Sequence, residues 1–236
     1  MTIRKIFTLT TILFAAFSFV SCSSDDDDDK NDVVTDNHEY VDLGLPSGTL
    51  WATCNVGASK PEEFGDYFAW GEIEPKETYG FDNYKWGNEK MTKYCAFKEN
   101  GMVDNKTILD SEDDAATANW GSKWCTPSYE QILELMNSEN TTQEWTTLND
   151  VNGLLITSKK NGNTIFLPAT GIRNDGSFVY GGITGGYWSR SLMFDNDNDS
   201  NASDTAIAFF FQLPRQWWGN YYRRSGFAIR PVRSSK

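Results

Sequence analysis

Leu50, Ala52, Cys54 and Val56 alternate with Trp51, Thr53 and Asn55. This is the two-residue period of a half-buried strand, and it would turn Cys54 toward a core. With EYVDLG (39–44) ahead of it and an LPSG turn between, the pattern predicts two short strands at 39–44 and 49–57. From 64 to 93 neither period is present. FGDYFAWGE and YGFDNYKWG scatter aromatics irregularly, which predicts a long packed loop pinned by Tyr67, Trp70, Tyr84 and Trp86. A first helix is signalled by LDSEDDAATANWG, with Asp110 or Ser111 as its cap, acids 112–114 at the positive end of its dipole and Gly121 as its stop. A second begins at CTPSYEQILELMN, with Thr126 as the cap and Pro127 in the first turn. Its buried face would be Tyr129, Ile132, Leu133 and Met136, with Glu130 and Glu134 in solvent.

After a polar connection (NTTQEW) the strand period returns. GLLITSKKNGNTIFLP predicts a hairpin of 154–158 and 164–167 around Asn161-Gly162, and Asp175-Gly176 turns GIRN into SFVYGG. Three more strands are expected at 187–191, 205–211 and 227–232, with loops between them. A strand pair, two helices and a strand-rich second half indicate an α+β domain.

The N-terminus has a different character. Arg4 and Lys5 precede an apolar run at 6–20 that is too short for a comfortable membrane span, so 1–21 is expected to be a secretory signal peptide. FVSC, ending at Cys22, resembles the relaxed lipobox of Bacteroidetes lipoproteins, whose cysteine is lipidated. The following SSDDDDDK resembles the acidic signal that sends such proteins to the outer face of the outer membrane. An ordinary cleaved leader followed by an acidic linker is the other reading of the same residues. Either way 22–37 is too polar to fold and would act as a disordered tether, leaving 38–236 as the domain.

Charge then narrows the partners. The chain carries a formal −12, of which 1–37 hold −4 (seven acids against three bases), so the domain keeps −8. An acidic domain is poorly suited to phosphate backbones, which sets nucleic acid aside. Beyond Cys22, three cysteines remain, Cys54, Cys95 and Cys125. An odd number leaves at least one thiol unpaired within the chain, and no CxxC spacing suggests zinc. The lone histidine, His38, stands at the tether's edge, so a Ser-His-Asp or Cys-His arrangement lacks a base and no catalytic residue or cofactor is expected. Asp195, Asp197 and Asp199 have the alternate spacing of a calcium loop, but Ser200 takes the place of its glycine and Ala206 that of its bidentate glutamate, so no metal site is expected.

Twelve of the 34 aromatics lie between Tyr180 and Phe227, in a fifth of the chain. Trp217, Trp218, Tyr221 and Tyr222 sit among Arg215 and Arg223, and Trp188 and Arg190 lie in the preceding YWSR. Trp, Tyr and Arg dominate binding hot spots, so these eight residues are the candidate ligand contacts, for a glycan by ring stacking or a protein by packing. A loop folded onto its own domain would use the same residue types.

VDLGLPSGTLWATCNVGA, GDYFAWGE, DDAATANWG, WCTPS, IFLPATGIR, GYWS and GFAIRPVR follow in the order of the Fibrobacter succinogenes major paralogous domain, which the chain resembles from about 39 to 233. The resemblance implies a single C-type lectin-like domain near the formylglycine-generating branch, with its N- and C-terminal strands side by side, two helices packed on antiparallel strands, and long loops. It also implies a surface lipoprotein. Where that family has Arg and Met between Trp and Pro, this chain has Cys125 and Thr126. GGYW, a variable insert and GFAIRPVR also resemble the variable region of retroelement-diversified proteins. The expected function is non-catalytic recognition or adhesion at the cell surface, the alternative being a structural or fimbria-associated component without a pocket of its own.

Overall fold

The computed structural model describes residues 37–87, 89–193 and 204–234, which lie within one compact unit. The expected signal peptide, Cys22, nearly all of the tether and the acidic run 195–199 lie outside the described residues. Among the described residues no helix is long and apolar enough to cross a membrane. The domain is an α+β mixture dominated by antiparallel strands.

Strands β1 (Tyr40–Asp42) and β2 (Thr49–Ala52) form a sheet with β11 (Val232–Ser234), in the order β1-β2-β11. The two ends of the domain therefore share a sheet, with β2 between them. All four β2 residues are buried, so the alternation that suggested a one-sided strand conceals a two-sided one. The strand stops at Ala52, and Cys54 is only half-buried.

The core is organised around β9 (Thr205–Gln212), which pairs with β8 (Gly185–Trp188) on one side and β10 (Arg215–Tyr222) on the other. The unbroken apolar run AIAFFF is explained by cover on both faces of this sheet. Ala206, Ala208 and Phe210 face one cluster with Trp188, Trp70 and Phe227, while Phe209 and Phe211 face another with Trp51, Leu154 and Val232. Helix α1 (Ala115–Trp120) supplies Ala115, Ala116 and Trp120 to the first cluster, and α2 (Tyr129–Met136) supplies Ile132 and Leu135 to the second.

Both helices begin later than the spacing predicts. Residues 111–113 form a 3-10 turn, and the cap of α1 is Asp114, whose carboxylate accepts from the Ala116 and Thr117 amides. In α2 the cap is Ser128, locked reciprocally with Gln131. That shift rotates the buried face to Ile132 and Leu135, leaving Leu133 exposed, and brings Glu134 to the Ser47 amide (2.8 Å) instead of open solvent.

The stretch expected to be a polar connection is β3 (Thr141–Leu148), hydrogen-bonded along its length to β4 (Val151–Ser158), which pairs in turn with β5 (Thr164–Pro168) around the Asn161-Gly162 turn. β6 (Ile172–Asn174) and β7 (Ser177–Val179) meet across Asp175-Gly176, where both residues have positive φ, +47° and +75°, as a primed hairpin turn requires.

Residues 64–93 are irregular, as the aromatic spacing there predicts, and the irregular stretch runs on to 105 with a small core of its own. Tyr67 and Ala69 point into that core, and the alternate residues Phe68 and Trp70 into the main one. Trp70 Nε1 donates to Ser189 O and Trp188 Nε1 to Phe68 O, both at 2.8 Å, so two buried indoles staple this loop to the end of β8 and the residue after it. Farther on, the Asp104 carboxylate accepts from the amides of Tyr94, Cys95 and Lys106. Burial works to raise the Asp104 carboxyl, but these amides outweigh it and hold it below its ordinary value. A carboxyl depressed in the fold binds its proton more readily in the unfolded chain. The contribution is therefore present at neutral pH and is lost as pH falls below about 3.8 toward the folded value. Asp104→Asn should lower the urea midpoint at pH 7, and its gap to wild type should narrow at pH 3; a gap independent of pH would refute this role.

Candidate functional site

The aromatic segment expected to be a loop is strand β10. Each of its residues is paired to β9, from Arg215 opposite Gln212 to Tyr222 opposite Thr205. Strand alternation then divides the candidates between two faces. Trp217 and Tyr221 point to one side with Gly219 between them, and Trp218 and Tyr222 point to the other.

On the second side, Trp218 packs edge-on against Tyr129 at the start of α2, with centroids 4.8 Å apart. Tyr222 is covered by the Arg224 guanidinium 4.0 Å from its ring. Both are tied to neighbours while still 37 % and 43 % exposed. Arg215 stands exposed at the hairpin tip.

Two candidates are corrected by burial, and a third is partly covered. Trp188 is 1 % exposed in the main core. Arg223 is fully buried: its Nε donates to Thr205 O and its Nη1 to Tyr94 O, each at 3.0 Å, with the guanidinium 5.1 Å from the Trp70 ring centre. Arg190 is half-buried, its backbone bonded to Pro127 O and Leu109 N. Trp188 closes β8 beside β9, and Arg223 follows directly on β10 with its guanidinium over Trp70, so both side chains are spent inside the domain.

On the first side lies a groove of about 470 Å³. Its base is Phe210 and Ile172, and its walls come from β10 and from the tight turn between β7 and β8. Trp217 stacks nearly parallel on Phe210, with centroids 5.4 Å apart and planes 15° apart, and stays 40 % exposed. One face of its indole is therefore held and the other is presented. Tyr221 leans on Phe210 and Phe227 at 5.9 and 5.1 Å. Burial pushes its phenol up, with Tyr180 and Asp175 adding to the effect, so it remains a proton donor at neutral pH.

Opposite stands Tyr180, 59 % exposed and at φ +62°, a left-handed conformation uncommon for a bulky side chain. It is held there by its own carbonyl, which accepts from Ile183 and Thr184. The Thr184 hydroxyl donates to Gln212 Oε1 (3.3 Å), leaving the Gln212 amide donor for another acceptor. No ionised side chain lines this groove among the described residues. A larger concavity, of about 850 Å³, is bounded among the described residues by the hairpin tip alone, residues 212–217.

Other groupings have local explanations. Asp110, Glu112 and Asp113 bring carboxylate oxygens within 4.8 Å of one another. Lys93 Nζ already lies 2.6, 3.2 and 2.6 Å from them. Tyr94 adds a hydroxyl to Asp113 at 2.6 Å. His38 stacks on Trp120, 3.7 Å between centroids and 5° between planes. Cys54, Cys95 and Cys125 are thiols, and burial pushes that of Cys125 up, away from reactivity.

The sequence reading missed Gly219, Tyr180 and Gln212 as parts of one site. Trp217, Gly219 and Tyr221 alternate in the sequence, but they share one face only because β10 is a strand. Comparison with protein-family models, curated proteins and solved structures gives no match for this chain.

Proposed function

We propose that this chain is a non-catalytic recognition or adhesion module at a bacterial surface, whose domain presents the groove beside β10 to a glycan or protein ligand. In this reading the domain is C-type lectin-like, and Cys22 carries the lipid that anchors it through the tether to the outer face of the outer membrane. The sheet shared by both ends of the domain and the loop-rich region 64–105 support the lectin-like reading. The observation that carries the recognition reading is Trp217 itself: a large aromatic fixed on one face by Phe210 and bare on the other, at the rim of a concave groove. Preorganised aromatic surface loses little entropy on binding, which is why such residues become hot spots.

The purified full chain, displayed against glycan and host-protein arrays, should yield a ligand whose binding falls at least tenfold in the double variant Trp217→Ala/Tyr221→Ala. Near-ultraviolet circular dichroism should show the fold retained. The pair Trp218→Ala/Tyr222→Ala, on the opposite face, should keep most of the binding. Equal losses from the two pairs, or no ligand on either array, would count against this groove and favour a structural role.

A further inference from the structure

Gly219 has no structural reason to be glycine. Its φ is not positive, and a Cβ built on it meets no atom within 4 Å, so neither backbone conformation nor packing requires a bare residue there. The contrast with Gly185 and Gly186 is direct: a Cβ at either would lie 2.0 or 2.7 Å from the Phe211 or Phe227 ring. In a strand interior an unneeded glycine weakens the strand, and one recurring reason for it is close approach of a ligand. Here the gap it leaves lies on the groove side, between the Trp217 and Tyr221 side chains two residues away on either side.

Resting on the recognition reading above, we infer that the groove is a subsite for an uncharged pyranose sugar, its C–H face laid on the open face of Trp217 and its edge entering the gap at Gly219. Three features select that chemistry over a peptide or a charged ligand. The presented surface is a flat ring face, which suits the flat, weakly polar face of a pyranose. The polar groups around it are hydroxyls and amides, from Tyr180, Tyr221, Thr184, Gln212 and Asn220, which both donate and accept as sugar hydroxyls do. Among the described residues no ionised side chain lines the groove to meet a carboxylate, sulfate or ammonium. The left-handed backbone at Tyr180 fits the same picture, since strain of this kind is commonly retained where a side chain must be held against a ligand. The volume, about 470 Å³, lies in the range of roughly 300–1,000 Å³ usual for ligand pockets.

The test uses Gly219→Leu in the full chain, because filling the gap should leave the strand at least as stable while blocking the sugar. Wild type and variant are titrated, by tryptophan fluorescence and on an array, with neutral gluco-, manno-, galacto- and N-acetylglucosamine oligosaccharides, with sialylated and sulfated ones, and with a random peptide library. The expected result is binding of one or more neutral oligosaccharides that weakens at least tenfold in Gly219→Leu, with an unchanged or higher melting temperature. Trp217→Phe, which keeps a ring face, should retain more binding than Trp217→Ala. Exclusive binding of charged glycans would overturn the inference, as would sugar binding indifferent to Gly219→Leu. Peptide binding that is sensitive to Gly219→Leu would remove the sugar and leave the recognition reading standing, whereas no binding by any probe would remove both.

Discussion

Replacing Arg230 by alanine is expected to destabilise the domain by about 3–5 kcal/mol, the order expected when several buried neutral acceptors lose their donor and a large packed side chain is removed. The side chain is 1 % exposed, in the middle of GFAIRPVR, and its guanidinium is used on every edge. Nε donates to Asn55 Oδ1 at 2.8 Å, Nη1 to the carbonyls of Ala52 (3.0 Å) and Thr53 (2.5 Å), and Nη2 to that of Phe166 (2.9 Å). One planar group thus joins the end of β2, the loop after it and β5 to the C-terminal segment. Truncation leaves three carbonyls and an amide oxygen unpaired in the interior and opens a cavity the size of the side chain. Arg230→Lys keeps the charge but replaces a rigid fork with a point donor that cannot reach Asn55 and Phe166 together, so it should recover less than half of the loss. Urea midpoints with unchanged slopes measure the effect, and the melting temperature should fall by roughly 6–20 °C for a domain of this size. A loss below about 1 kcal/mol would mean that water enters and satisfies these carbonyls.

Arg230 also marks where the sequence stops being informative. Its partners lie 64 to 178 residues away, and an arginine amid apolar residues ordinarily stands at the surface, so nothing local distinguishes a bolt from a displayed charge. Arg223 and Trp188 were misplaced for the same reason. Their composition suits a hot spot, but burial depends on what folds over them. Features set by adjacent residues were legible: the Asn161-Gly162 and Asp175-Gly176 turns, the aromatic loop region, two helices and the strand-rich second half. β10 was not, because RQWWGNYY is aromatic on both faces and shows no apolar-polar alternation. Its pairing with β9 supplies what periodicity could not, and with it the site: of the eight candidate contacts, Trp217 and Tyr221 share the groove. Tyr180 and Gln212 join them from other elements.

Asp114→Ala should be the next most damaging change, at about 2–4 kcal/mol, where the composition suggested only acids at the positive end of a helix. The carboxylate is 2 % exposed and does two jobs. It caps α1 through the Ala116 amide (2.9 Å), and it accepts from the Thr126 amide (2.9 Å) and the Thr126 hydroxyl (2.8 Å), fixing the chain as it leaves Trp124 for α2. Alanine leaves those three donors buried without an acceptor, whereas asparagine keeps one oxygen but sets an amino group against the remaining donors. The order of stability should therefore be wild type, Asp114→Asn, Asp114→Ala. The cap and the clamp can be separated with Thr126→Val, which removes the hydroxyl alone. In the Asp114→Ala background that second change should cost less than it does in wild type, because the hydroxyl it deletes is already an orphan. A strictly additive cycle would show that Asp114 acts only as a helix cap, and that something other than this carboxylate holds α1 to the chain entering α2.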